Sequence, residues 1–256
     1  MKPSRYFVVD NSTEHQHLQH FKKLFSVLPS PEEADAIVVF GGDGSMLSAI
    51  KTYHALEKPF IGLNAGTRGH LMNDLRNPEK LYQCWDSISY ANLWLLESQV
   101  ETSAGGLKLY GFNDIWVERV TGQILRMYLT IDGVKQPPML VGDGILFSTP
   151  QGSTGYNLAL RGKAISPDVP VIQVAPMSCV IDKTPVGSLI LSDNSVLQVD
   201  FEQVEKRPGV VFYDGVQAST DVVLSISVKK SERVIRLGFV SEYAFIRKVM
   251  SWQLQY

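Results

Sequence analysis

The chain predicts an α/β plus all-β protein: an N-terminal open parallel-sheet α/β domain carrying a Gly-Gly-Asp-Gly loop, then a C-terminal β-sandwich-like domain. Three observations predict it. Short apolar runs alternate with helical periods over the first third. Beyond that, the helical period gives way to β-branched and aromatic runs set between turns. Finally, 256 residues with 45% hydrophobic and 20% charged side chains match an ordinary globular composition, long enough for one large domain or two smaller ones.

Taken in order, the N-terminal runs are YFVVD, an amphipathic stretch through HLQHFKKLF, AIVVF, MLSAIKTYHAL and PFIGL. Four or five apolar residues in a row, separated by a helical period, are how parallel strands covered on both faces read. A further helical candidate, NPEKLYQCWDSISY, closes this part. Afterwards turn signals recur: Ala104-Gly105-Gly106, Thr121-Gly122, Asp132-Gly133, Ser192-Asp193-Asn194, Pro208-Gly209 and Asp214-Gly215. Such punctuation points to a sandwich or related antiparallel architecture. The boundary is placed near residue 97, giving domains 1–97 and 98–256. The tail FIRKVMSWQLQY reads as strand or short helix, and its return to the N-terminal domain is left open.

Lys and Arg total 24 against 26 Asp and Glu, a formal charge of −2, so no electrostatic case exists for a nucleic-acid partner. No segment approaches the ~20 apolar residues of a membrane span. Cys84 and Cys179 are far apart and form no C-x-x-C pattern, which indicates neither a disulfide framework nor a thiolate metal site and makes a reducing cytoplasm the expected compartment. His15, His17 and His20 lack a carboxylate or cysteine at ligand spacing, so a solvated helix face is expected there.

Gly41-Gly42-Asp43-Gly44-Ser45 follows the strand AIVVF directly and precedes a helical run. In an open α/β sheet the carboxyl ends of strands form the ligand crevice, and a helix N-terminus there offers free N–H groups to phosphate. A carboxylate inside such a loop repels phosphate oxygens, so Asp43 suggests a second role, accepting or orienting the proton of an attacking hydroxyl. A turn with Asp43 or Ser45 as helix cap remains the alternative. The stretch Gly142–Asn157, GDGILFSTPQGSTGYN, concentrates glycines and small hydroxyls with one aromatic and one amide, suited to a nucleoside or to a long turn. In Phe112-Asn113-Asp114-Ile115 an amide adjoins a carboxylate. Adjacent strand residues face opposite ways, so a joint role needs a strand end or bulge.

In this order the segments resemble the NAD kinase family over most of the chain. GGDGS is similar to that family's GGDGT signature. PFIGLNAGTRGHL resembles its G-I-N-x-G-x-L-G-F-L segment, and FNDI resembles its Asn-Glu motif. GDGILFSTPQGSTGYN resembles its GDG-(apolar)-STP-[ST]-GSTAYN stretch, the most specific of the four, and QVAPMSC and VVFYDGVQ are similar to later landmarks. The resemblance implies two domains with a substrate cleft between them, assembled as homodimers or homotetramers. It implies transfer of the γ-phosphoryl group of ATP, with a divalent cation such as Mg2+, to the 2′-hydroxyl of the NAD adenosine ribose; polyphosphate as donor is left open.

Carried over by the same resemblance, Asp43 is the proton acceptor in a phosphate loop of Gly41, Gly42 and Gly44. Asn113 and Asp114 contact the ribose and the diphosphate side of NAD. Thr154, Gly155, Tyr156 and Asn157 hold the adenine, with Ala159 beside them. Asp143 lies near the nicotinamide end, and Ser178 is a further dinucleotide contact. No metal-ligating residue is assigned. The sequence departs from the family pattern at Thr67-Arg68-Gly69-His70, at Val141, at Gln151 and at Asp114, which replaces Glu and reaches about 1.5 Å less far. Two alternatives stay open: a lipid kinase of the diacylglycerol type, and a non-catalytic NAD-binding regulatory homologue.

Overall fold

The computed structural model describes residues 3–11, 15–64, 69–182 and 184–240. Thr67, Arg68 and the C-terminal tail from residue 241 lie outside the described residues. The chain packs as two compact units, Met1–Leu93 with Arg233–Tyr256, and Trp94–Glu232. The sequence boundary near residue 97 falls inside one long strand, Ser89–Thr102.

In the first unit, strands Ser26–Val27, Arg5–Asp10, Ala36–Phe40 and Phe60–Asn64 lie side by side in that order, all parallel. The end of Val223–Phe239 adds a further parallel neighbour, Leu237 beside Phe60. Every residue of Ala36–Phe40 is buried, as its unbroken apolar run requires of a central strand. Helices His15–Leu24, Asp43–Tyr53 and Pro78–Gln83 connect the strands.

The strand period of two sends Ala36, Val38 and Phe40 to one face, where they meet Tyr6, Phe21 and Trp85. Phe21 is fully buried and packs against Tyr6, Phe25, Phe40, Tyr82 and Trp85 with ring centroids 4.5–6.1 Å apart. The Tyr6 hydroxyl accepts from the Trp85 indole at 2.8 Å and donates to the Pro3 carbonyl at 2.7 Å, so this aromatic core holds its polar atoms paired. Asn73 joins strand ends: its amide donates to the carbonyls of Gly62 and Gly238, and its oxygen accepts from the Val240 N–H.

The second unit is built from antiparallel sheets. One has six strands in the order Leu189–Ser192, Val171–Met177, Gly144–Ser148, Asp114–Arg119, Gly209–Tyr213 and Val216–Gln217. The other includes Leu140–Gly142, Leu125–Ile131, Leu197–Phe201 and the first part of Val223–Phe239. Val117, Ile145, Phe147, Val174 and Val211 of the first share one core with Met127, Leu129, Val199, Ile226 and Val228 of the second, which makes the β-rich part a two-layer sandwich. Among the described residues, no helix is long and apolar enough to cross a membrane.

Phe21→Ala removes the hub of the aromatic cluster and is expected to destabilise the protein by about 3–5 kcal/mol. The fall in the urea unfolding midpoint measures it.

Candidate active site

Gly41 leaves the central strand at φ 144°, a conformation in which a side chain is strained, and a Cβ there would stand 2.4 Å from the Ser45 hydroxyl oxygen. Gly42 caps the following helix without any side-chain cap bond, and Asp43 is the first helical residue. The capping alternative for Asp43 and Ser45 is therefore not what this turn uses. Beside Gly42 and Gly44 the space is open. The first amides of a helix have no carbonyl of their own helix to bond, so the turn offers donors and room for an anion.

The Asp43 carboxylate reaches out of its helix. One oxygen accepts the His70 N–H at 2.8 Å and the other accepts the Leu71 N–H at 3.0 Å. His70, one of the departures from the family pattern, and Leu71 beside it are thus what orient the proposed base. A carboxylate has about four lone-pair directions, so two amides leave acceptor capacity on both oxygens for an incoming hydroxyl.

The remaining expected site residues belong to the second unit. Within Asp114–Arg119, Ile115 and Val117 point into the sandwich core, whereas Trp116 faces the opposite side with Leu146, Ala175 and Met177. The period of two puts Asp114 and Glu118 on that same side. Trp116 stacks on Phe212, centroids 5.0 Å apart and planes 6° from parallel, and meets Tyr156 edge-on at 5.3 Å. Tyr156 opens the short helix Tyr156–Ala159, and its half-exposed ring lies within electrostatic reach of Glu118, Asp114 and Asp143. Asp143 pairs with Arg119, Nε to Oδ1 at 2.6 Å.

Asn113 sits immediately before the strand that begins at Asp114, the strand end that a joint role for the two residues requires. The amide N–H groups of Phe112, Asn113 and Asp114 converge on one carboxylate, that of Asp214, at 2.8, 2.7 and 3.3 Å. Asp114 itself is buried, and desolvation together with the charge of Asp214 pushes its carboxyl up to about 8. At neutral pH it is therefore largely a neutral acid, able to donate as well as accept.

Through the 149–163 segment, side chains bond to backbone. The Thr149 hydroxyl oxygen lies 2.7 Å from the Phe112 carbonyl and 3.0 Å from that of Asn113. Gln151, which replaces a small hydroxyl in the resemblance, donates to the carbonyls of Trp94 and Phe112 at 2.8 Å. Gly152 admits no side chain, since a Cβ would stand 2.2 Å from the Asn113 carbonyl oxygen.

The Asn157 side chain is fully buried, and its nitrogen donates to the carbonyls of Ser153 at 3.1 Å and Lys163 at 3.4 Å, while its oxygen has no partner among the described residues. It closes the loop from within. Thr154, Gly155, Tyr156 and Ala159 stay accessible. Ala159 and the exposed Ser178, whose φ is 49°, line one cavity of about 550 Å3 with Arg161, Cys179, Val186 and Gly187. Burial pushes the Cys179 thiol up to about 11, so it is a neutral lining group rather than a nucleophile.

Sequence reading passed over Asp214 and Arg119. Asp214-Gly215 was visible as a turn, and its φ values of 44° and 79° fit the tight hairpin that Asp-Gly favours; nothing local says which amides the carboxylate collects. Among the described residues no group of three or more His, Cys, Asp or Glu side chains could hold a metal ion.

The family model of the ATP-NAD kinase N-terminal domain matches residues 6–92, and that of the ATP-NAD kinase C-terminal domain matches residues 119–237. An NAD kinase of Rickettsia prowazekii is 32% identical over 250 residues, 95% of this chain and 94% of that protein. One from Brucella suis is 28% identical over 229 residues, 88% and 87% of the two chains. Among solved structures, yeast NADH kinase complexed with NADH matches with a TM-score of 0.83 at 19% identity, covering 99% of this chain and 88% of that one. An NAD kinase from Archaeoglobus fulgidus in complex with ATP matches at 0.74 and 23% identity, covering 96% and 99%. At these identities the two structures speak for the fold alone.

The buried Asp114 carboxyl carries a pH signature. Its folded value of about 8 lies above the ordinary 3.8, so the native state keeps a proton that the unfolded chain releases, and stability falls as pH rises between those values. Asp114→Asn removes this dependence. Its stability relative to the parent is expected to climb through that window and level off above it, as read by urea unfolding at a series of pH values.

Proposed function

The chain belongs to the NAD kinase family, and from that membership we propose that it transfers the γ-phosphoryl group of ATP to the 2′-hydroxyl of the adenosine ribose of NAD, giving NADP and ADP. The observation that carries this reading is the Asp43 carboxylate at the mouth of the glycine turn, held by two backbone amides and with lone pairs to spare. The ribose oxygen attacks the γ-phosphorus, Asp43 takes the hydroxyl proton, and the bond to the β-phosphate oxygen breaks with ADP as leaving group. Unpaired N–H groups at the start of the helix, around Gly42 and Gly44, face the transferred phosphate, while Gly41, whose own N–H is bonded to the Leu63 carbonyl, turns the chain toward them.

Asn113 and Asp114 bind the ribose and diphosphate of NAD, and Tyr156 offers its exposed ring to the adenine, with Thr154, Gly155 and Ala159 beside it. Asp143 and Ser178 contact the remainder of the dinucleotide. Asn157 keeps the loop in shape through its nitrogen and stays, with its neighbours, on the adenine side. A divalent cation, magnesium by the family resemblance, enters with ATP as part of the donor.

Homodimeric or homotetrameric assembly and a cytoplasmic location complete the proposal. The exposed Leu189 and Ile190 on an edge strand of the six-stranded sheet support the first, and two free cysteines support the second.

The test incubates purified protein with NAD and magnesium-ATP and reads NADP with an NADP-dependent dehydrogenase. Asp43→Asn keeps the shape and the acceptor for one amide but loses the basic oxygen, so kcat is expected to fall by about 10²–10⁴ while NAD still binds. Phosphorylation of diacylglycerol in place of NAD would assign the chain to the lipid kinases, and NAD binding without turnover would leave a regulatory binder.

A further inference from the structure

Asp214 lies about a hundred residues from the Asn113–Asp114 pair in sequence, yet its two carboxylate oxygens are directed at the backbone of that pair and of Phe112 before it. Oδ2 accepts from Phe112, and Oδ1 accepts from Asn113 and, more weakly, from Asp114. The Asp214 N–H returns a bond to the Asp114 carbonyl at 3.1 Å. On the other side of the same segment, Thr149 and Gln151 hold the carbonyls of Phe112 and Asn113, and the Thr149 N–H donates to Asn113 at 2.9 Å. Donors and acceptors of the 112–114 backbone are therefore fixed from two directions. Among the described residues, none of these bonds engages the Asn113 side chain.

We propose that Asp214 is a positioning residue for dinucleotide binding: by gathering the three amides it presents Asn113 and Asp114 to the ribose and diphosphate of NAD in a single arrangement. This rests on the kinase reading above and adds to it a residue that touches no substrate. A hairpin turn needs no carboxylate at this position. Two consecutive positive φ values are served equally by Gly-Gly or Asn-Gly, so the acidic side chain answers to the amides it collects and not to the turn.

That separation supplies the experiment. Asp214→Gly permits the left-handed backbone of residue 214 and deletes the carboxylate, adding only the backbone freedom of glycine. Asp214→Asn keeps one acceptor oxygen for Asn113 and Asp114 and turns a donor toward Phe112. With loss of charge-assisted bonds worth one to a few kcal/mol, Asp214→Gly is expected to raise the KM for NAD about tenfold or more. Its KM for ATP and its kcat at saturating NAD should stay within about threefold of the parent. Asp214→Asn is expected between the two, the partial rescue that remaining acceptor capacity predicts.

Calorimetric titration with NAD, in the absence of ATP, provides a second reading that does not depend on turnover. If Asp214→Gly shows a lowered melting temperature but an unchanged NAD affinity, the carboxylate only braces the hairpin and the inference is overturned; a fall in kcat at constant KM for NAD overturns it as well. Should Asp214→Gly fail to fold, Asp214→Asn decides the matter by the same two measurements. A parent protein that binds NAD without forming NADP refutes the kinase reading while leaving the role of Asp214 to the calorimetry.

Discussion

In each of the two units one carboxylate organises the candidate site residues by accepting backbone N–H groups across long stretches of chain. Asp43 takes the amides of His70 and Leu71, and Asp214 takes those of Phe112, Asn113 and Asp114. A buried amide without a partner is costly, and a charged acceptor makes the strongest bond it can find. Each carboxylate thereby converts an irregular segment, which has no ladder of its own to rely on, into one with a defined backbone path. Within each unit, the neighbouring site residues take their backbone positions from that unit's anchor.

The same device sets the charge state of the second unit. Asp214 is held in place by the amides it accepts, and its negative charge falls on Asp114, already deprived of water by burial. Loss of water and that neighbouring charge together push the Asp114 carboxyl up to about 8, so it holds its proton at neutral pH. On the same side of the sheet the Trp116–Phe212 stack and the edge of Tyr156 form an apolar floor beside Asp114 and Asp143. Apolar surface with a few directed polar groups is what a nucleoside-sized ligand requires of its pocket.

Much of the fold was legible because its cues are local. The apolar runs of Ala36–Phe40 and Phe60–Asn64 became buried parallel strands, and the glycine turn ended one strand and opened a helix. The loss of helical period after the first third became a sandwich. Asp43 could be singled out because a carboxylate in a phosphate-type turn is anomalous on its face. The bonds of Asn157 could not be read that way, since an amide in a polar loop gives no sign that its nitrogen meets the carbonyls of Ser153 and Lys163. Gln151 is similar: a departure in the sequence, a cross-link to Trp94 and Phe112 in the fold.

By itself the sequence determined the order and type of the elements and the motifs that resemble the NAD kinase family, because periodicity, turn chemistry and motif spacing are properties of neighbours along the chain. Only the tertiary structure decided which amides each carboxylate collects, that Asp114 keeps its proton, and that Asn157 faces inward. Desolvation and hydrogen bonding depend on groups brought close from distant positions, and no local pattern records which distant group arrives.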